Sequence, residues 1–564
     1  MRFRDFPYNR PDINEIESKF DSLLEKFESA ESAEEQDNVL TKINELRSHY
    51  ETMKEINSIN YTIDTTNEEI EKEHDYFDEV KPVFAGMLHR FYNTLLNSKF
   101  RKELEEKRGS YIFELAEAGV KTYSPDIVDD LKEENHLVTK YVKLLASAKI
   151  DFEGEERNLA GLAPFSSSTD RELRKKASEA KWNFFAENEK ELDEIYDKLV
   201  KVRHRIAKKL GYENFVQLGY DRMRRTEYGP EQAAQFRQHV LNYIVPLSLK
   251  IKEQQKKRLG LDKMLYYDLE LQFSNGNPTP KGDPEWIVSN AKEMYRELSP
   301  ETEEFMNLMI EKELMDLYNK KGKATGGYCT FIPDYKVPFI FANMNGTSDD
   351  IRVLTHEAGH AFQAYASRNF PIPEYSHPTL EACEIHSMSM EYLTWPWMKF
   401  FFKEDAEKFK VVHIERSVAF IPYGVSIDEF QHFVYENPDA TPAERKAKWR
   451  EIEKKYLPYR DYADNDFLNR GGFWQAQAHV YRFPFYYIDY TLAEICAYQF
   501  WIKSLENRDK ALEDYLRLCN AGGSMSFLNL VKLAGLNSPF EAETVKNTIA
   551  KVGEWIEQID DSKL

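Results

Sequence analysis

The sequence predicts a mostly α-helical protein with one small β-sheet, and three observations carry that prediction. Apolar residues recur at helical spacing through most of the chain, as in Ile16, Phe20, Leu23, Leu24 and Phe27, and again in Val83, Met87, Phe91 and Leu95. From Thr325 to Thr347 the period changes to a run rich in aromatic and β-branched residues with turn signals at both ends, which favours one or two short strands. The stretch that follows, Val353-Leu-Thr-His-Glu-Ala-Gly-His-Ala-Phe-Gln-Ala-Tyr-Ala366, returns to a helical pattern and carries His356 and His360 one turn apart.

Composition narrows the possible partners. The 564 residues carry 97 Asp and Glu against 76 Lys and Arg, a net charge of −21 that repels phosphate backbones and anionic lipid surfaces, so neither nucleic acid nor membrane is expected as a partner. The four cysteines, Cys329, Cys383, Cys496 and Cys519, include no Cys-x-x-Cys pair. They suggest buried free thiols rather than a disulfide framework or a thiolate metal site. The N-terminus is polar and no apolar run reaches bilayer length, so a cytoplasmic location is expected.

In chain order, residues 12–148 read as amphipathic helices with short polar breaks such as Asp64-Thr-Thr-Asn67. Gly154, Gly161 and Pro164 mark a hairpin or ordered loop between 150 and 168 and a boundary there, dividing the chain into portions 1–168 and 169–564. Thr169-Asp-Arg-Glu172 reads as a capping box ahead of a long helix, and Gly211 as a helix stop. Residues 271–284, rich in Gly, Asn and Pro, read as a surface loop. Pro338 suits a strand start or a sheet edge, and Phe339 to Asn343 is expected to offer an edge along which an extended peptide could align.

His356-Glu-Ala-Gly-His360 is the spacing of a metal-hydrolase helix: both imidazoles reach one ion, and Glu357 lies beside the place of an attacking water. A catalytic zinc takes three protein ligands and keeps one position open. Gln363 and Ala366 stand where a metzincin would have Gly and its third His, so the third ligand must come from another element. The next helical stretch, Leu380 to Leu393, offers Glu384 as the best candidate and Glu381, one turn earlier, as the runner-up. His386 points about 200° away from Glu384 and is expected to be a packed or exposed residue. Glu391 could accept a hydrogen bond from a ligand imidazole.

His356-Glu-Ala-Gly-His360 with Glu384-Ile-His-Ser-Met-Ser-Met-Glu391 resembles the oligoendopeptidase F branch of the thimet oligopeptidase family, whose pattern is His-Glu-Phe-Gly-His and a later Glu-x-Ala-Ser-Thr-Phe-Asn-Glu. Ala358 replaces the family's Phe, and Ile385-His386 replaces small residues, so the chain is a divergent member. His479-Val-Tyr-Arg-Phe-Pro-Phe-Tyr-Tyr-Ile-Asp-Tyr490 is similar to the family's His- and Tyr-rich stretch. The resemblance implies that His479 and Tyr490 donate to the oxyanion of the tetrahedral intermediate, with Tyr486 and Tyr487 behind them. It also implies a large helical zincin-type peptidase with a deep central channel, portion 1–168 forming a channel wall and portion 169–564 carrying the catalytic site.

The function expected is a zinc endopeptidase acting on internal bonds of short unfolded oligopeptides, with one Zn²⁺ on His356, His360 and Glu384 and Glu357 as general base. A helical zinc metallocarboxypeptidase is the nearest alternative, but Cys383-Glu-Ile-His-Ser lacks that group's His-Glu-Ser-Gln-Ser pattern. A non-catalytic peptide-binding protein with a structural zinc is the other, opposed by the retained Glu357 and the open fourth position.

Overall fold

The computed structural model describes residues 1–564, the side chain of Ser562 excepted. Helices dominate, and their starts are chemically marked. Asp12, Ser32 and Asn67 accept hydrogen bonds from the free N–H groups that open helices Ile13–Ser29, Ala33–Ile63 and Glu68–Leu96. Strands β1 (Ile150–Phe152) and β2 (Glu155–Arg157) form the expected hairpin, closed by Glu153 and Gly154, both at positive φ as a two-residue hairpin turn requires.

The cap of the next helix, Arg171–Glu187, is Asp170 and not Thr169: the Asp170 carboxylate accepts from the N–H groups of Glu172 and Leu173. Thr169 and Asp170 are adjacent residues that both suit a cap, and the helix takes the second. Gly211 ends helix Glu189–Lys209 at φ +86°, with Tyr212 N donating back to Ala207 O. The 271–284 segment is only partly a surface loop. Leu271, Gln272 and Phe273 are buried, and Phe273 joins Val411 and Val412 in a small apolar cluster.

The sheet beside the motif has three strands: β3 (Met315–Tyr318), β4 (Tyr328–Ile332) and β5 (Val337–Met344), in the order β3-β5-β4. β3 runs parallel to β5 and β4 antiparallel to it. Phe339 to Asn343 therefore lies on the central strand and is not an edge; the edge next to the motif helix belongs to β4. Pro338 misleads because it is tolerated for another reason. β3 pairs with β5 only from Ile340 onward, so Pro338 has β4 on one side and no β3 partner on the other.

One continuous apolar core runs from Phe6 to Ile556. The helix Ala33–Ile63 is tied to β4 by side chains: Thr62 Oγ1 lies 2.6 Å from Tyr328 OH, and Thr330 Oγ1 donates to Glu55 Oε2 at 2.7 Å. Arg47 from the same helix forms a buried ion pair with Glu374 at 2.5 Å. Among the described residues no helix is long and apolar enough to cross a membrane.

Candidate metal centre and active site

The motif helix, Asp349–Ala366, begins where Asp350 accepts hydrogen bonds from Asn345 N and Gly346 N at 2.9 and 2.8 Å, fixing the turn that leads out of β5. The return helix, Leu380–Leu393, packs against it so closely that a Cβ at Gly359 would stand 2.6 Å from His386 O. Position 356 meets 391 and position 360 meets 384, so the two helices run antiparallel.

This pairing gathers three donors. His356 Nε2 and His360 Nε2 lie 3.2 and 3.3 Å from Glu384 Oε2, and one ligand atom from each of the three residues lies within 4.8 Å of the others. Two imidazole nitrogens and a carboxylate oxygen are a donor set that suits a catalytic divalent ion with an open position. Glu357 is buried, and its Oε2 finds no hydrogen-bond partner among the described residues. Its other oxygen would lie 3.2 Å from a Cβ at Gly327, so the carboxylate stands beside the start of β4. An orphaned acceptor next to a three-donor cluster fits a metal and its water.

The electrostatics follow from burial and neighbours. Burial raises the Glu357 carboxyl above the usual range against the pull of His356 and His360. Burial pushes Glu384 the same way, but His360 and His356 outweigh it and hold that carboxyl well below the usual range. Glu384 is held further by Ser387 Oγ, which donates to Oε2 at 2.8 Å, and by Tyr486, whose phenol donates to Oε1. Glu381, the runner-up, faces elsewhere: Tyr228 OH donates to it at 3.1 Å. His386 is fully buried and packs edge-on toward Tyr515.

His479, on the short helix Ala478–Arg482, and Tyr490, on the helix Tyr487–Glu506, meet with His479 Nε2 3.2 Å from Tyr490 OH. Gln477 Nε2 lies 2.8 Å from His479 Nδ1, and Tyr423 OH donates to Gln477 Oε1 at 2.9 Å. Burial, reinforced by Arg482, lowers the His479 imidazole to about 4. The Tyr486 ring lies tilted at 35° to that of Tyr490 with centroids 5.0 Å apart, whereas Tyr487 packs between Phe420, Tyr423 and His479. Arg225, buried, clamps the entry to this helix by donating to Phe485 O and Asp489 Oδ1, both at 2.6 Å.

Sequence reasoning missed Gln477, Arg225 and Ser387, and also His413 and Trp395. His413 Nε2 lies 2.7 Å from Glu391 Oε2, and Trp395 Nε1 donates to His413 Nδ1 at 2.8 Å. Gln477, two residues before His479, and Ser387, one helical turn after Glu384, carry a signal in their spacing.

A helical body, a small sheet and a partly buried His-His-Glu cluster with an unpartnered glutamate oxygen beside it point to the class of metallopeptidases. The chain belongs to peptidase family M3: that family's profile matches residues 165–548, and the M3 N-terminal domain profile matches residues 3–123. A solved structure of PZ peptidase A with an inhibitor is similar over 99% of this chain and 100% of that one, with 57% identity and a TM-score of 0.99. The Oligoendopeptidase F homolog of Borreliella burgdorferi is 23% identical over 405 residues, covering 68% of this chain and 65% of the relative. Group B oligopeptidase PepB of Streptococcus agalactiae is 22% identical over 376 residues, covering 66% and 61%. The match thus spans less than two thirds of the length of each of these two curated relatives. Membership of the family implies a divalent metal and peptide substrates.

Proposed function

We propose that the protein is a zinc-dependent endopeptidase that hydrolyses internal bonds of short unfolded oligopeptides. The observation that carries this reading is the convergence of His356, His360 and Glu384 next to the unpartnered oxygen of Glu357. His356 Nε2, His360 Nε2 and the Glu384 carboxylate would hold one zinc per chain. Bound there, zinc supplies Lewis acidity toward the scissile carbonyl and the attacking water.

The remaining steps belong to the chain. A Glu357 oxygen takes a proton from the water as its oxygen attacks the carbonyl carbon, and the same proton passes to the amide nitrogen as the C–N bond breaks. His479 is neutral at working pH, so its Nε2–H, together with the Tyr490 phenol, donates to the carbonyl oxygen as charge develops on it. Tyr486 and Ser387 keep the Glu384 carboxylate in place. The backbone of β4 provides the edge along which an extended peptide is aligned, in place of the 339–343 segment.

The N-terminal portion, 1–168, acts as the wall of a channel that admits unfolded chains. In support, a cavity of about 780 Å³ lies between the helices Ala33–Ile63 and Glu68–Leu96 on one side and the end of β4 with residues 368–377 on the other, lined among others by Glu55, Tyr92, Thr330, Phe331 and His377. A cytoplasmic setting suits four unpaired cysteines. Mass spectrometry of products from a mixed peptide library, with and without a zinc chelator, tests the reading. Chelator-sensitive internal cuts, including cuts in peptides blocked at both ends, are expected. Cleavage restricted to free C-termini, or cleavage that survives metal removal, would overturn it.

A further inference from the structure

We propose that His413 and Trp395 are positioning residues for the metal-binding nitrogen of His356, acting through Glu391; the inference rests on the metal reading of the site. The argument is one of proton placement. An indole Nε1–H has no lone pair to offer and can only donate, so His413 Nδ1, 2.8 Å from Trp395 Nε1, is the acceptor. The proton of a neutral His413 therefore sits on Nε2, and that N–H points at Glu391 Oε2, 2.7 Å away.

The second Glu391 oxygen continues the order. Oε1 lies 2.7 Å from His356 Nδ1, and an ionised carboxylate only accepts, so Nδ1 carries a proton. This leaves the lone pair of His356 on Nε2, the nitrogen that lies 3.2 Å from Glu384 Oε2 in the three-residue cluster. With both Glu391 oxygens engaged by N–H groups, the carboxylate cannot rotate away from His356 without losing a buried hydrogen bond.

The surroundings hold each member in its plane. The His413 ring stacks between Tyr392, with centroids 4.7 Å apart at 22°, and Phe409, at 5.7 Å and 27°. Trp395 is packed against Trp501 and Trp555, each at 5.6 Å. Trp395 follows the return helix directly, His413 comes from the helix Ala406–Glu436 and Trp555 from the helix Ala542–Glu557. Glu391 sets the tautomer of His356, and the carboxylate is held in place for that role by a donor chain that begins on a different element, three hydrogen bonds away.

The test is zinc affinity, measured by competition with a chromophoric chelator, on three full-length variants whose fold is checked by circular dichroism and melting. His413→Phe fills the slot between Tyr392 and Phe409 but donates nothing; it should bind zinc about 10- to 100-fold more weakly. His413→Gln restores an N–H toward Glu391 and should recover most of that loss, which a packing role would not predict. Trp395→Phe removes the indole donor and keeps an aromatic ring, and should weaken zinc in the same direction. Wild-type affinity in His413→Phe, or equal loss in His413→Phe and His413→Gln, would overturn the proposal. Unchanged affinity in Trp395→Phe would overturn the assignment of its first donor. A wild-type chain that takes up no zinc would overturn the metal reading as well, a failure visible before any variant is made.

Discussion

Gly359 and the carbonyl oxygen of His386 are in such close approach that any side chain at 359 would collide with backbone: a Cβ would meet His386 O and Ser387 Cα, each at 2.6 Å. Backbone cannot yield as a flexible side-chain tip can, so the motif and return helices would have to separate. Gly359→Ala is expected to cost about 1–3 kcal/mol of stability and to weaken metal binding, because the helix that must move carries Glu384. Urea unfolding together with zinc titration checks this; an alanine variant with wild-type midpoint and affinity would show that the contact is not limiting.

Removing the base should leave everything but the chemistry. Glu357→Gln keeps the side-chain volume and stands outside the donor cluster, so zinc content and melting temperature should not change. Hydrolysis of a fluorogenic peptide should fall by roughly 10²- to 10⁴-fold. A rate close to wild type would assign the proton transfer elsewhere.

The two glutamates of the return helix should behave in opposite ways. Glu384→Ala is expected to strip zinc from the purified protein. Glu381→Gln, whose side chain faces Tyr228, should retain it. Elemental analysis of both variants gives the answer, and zinc lost only from the position 381 variant would reverse the ligand assignment.

The aromatic stretch should separate into two kinds of tyrosine. His479→Phe and Tyr490→Phe are expected to lower kcat, by about 10²- to 10³-fold for a strong oxyanion donor, with zinc affinity unchanged. Tyr486 donates to Glu384, so Tyr486→Phe should show chiefly as weaker zinc. Because His479 is held neutral down to about pH 4, its own protonation should shape kcat only as the pH falls through that value. Steady-state kinetics beside zinc titration would distinguish the groups; an unaltered zinc affinity in Tyr486→Phe would remove it from the metal's support.

Two buried histidines should favour the folded state less as the pH falls. Burial, with His360 acting in the same direction, lowers His386 to about 4. Burial also lowers His432 to about 4, with Asp428 opposing and Arg237 assisting. Unfolded histidine titrates near ~6.5, so between about pH 6.5 and 4 the unfolded chain binds protons that the folded chain does not. These two groups therefore favour the folded state fully above ~6.5, and the contribution is lost at up to about 1.4 kcal/mol per pH unit for each as pH falls toward 4. Urea midpoints at pH 7 and 5 read the slope, and His432→Gln should reduce it. A slope that is the same in the wild type and in His432→Gln would contradict the placement of His432.

The helical class, the hairpin at 150–157 and the strand content before the motif were legible because each is written in local periodicity or turn chemistry. That Glu384 lies beside His360 was legible from the 24 residues between them, room for a helix end, the loop Asn369 to Thr379 and a return helix. Other features were hidden by their scale. β3 has four residues and no repeat to detect, and without it β5 could be taken for an edge. Thr169 and Asp170 both suit a cap, and only the backbone chooses between them. His413 is 22 residues beyond Glu391, with no motif around it; its relation to the site is created by three helices converging, and no spacing within one helix announces it.

The tryptophan packing behind His413 has an optical consequence. Trp395, Trp501 and Trp555 form a mutual cluster with centroid separations of 5.6 to 5.7 Å, and one member donates into the hydrogen-bond chain that ends at His356. Indole emission responds to the polarity and charge of its neighbours, so the site carries its own reporter. Zinc uptake should change the intrinsic fluorescence of the unlabelled protein, and Trp395→Phe should remove most of that signal.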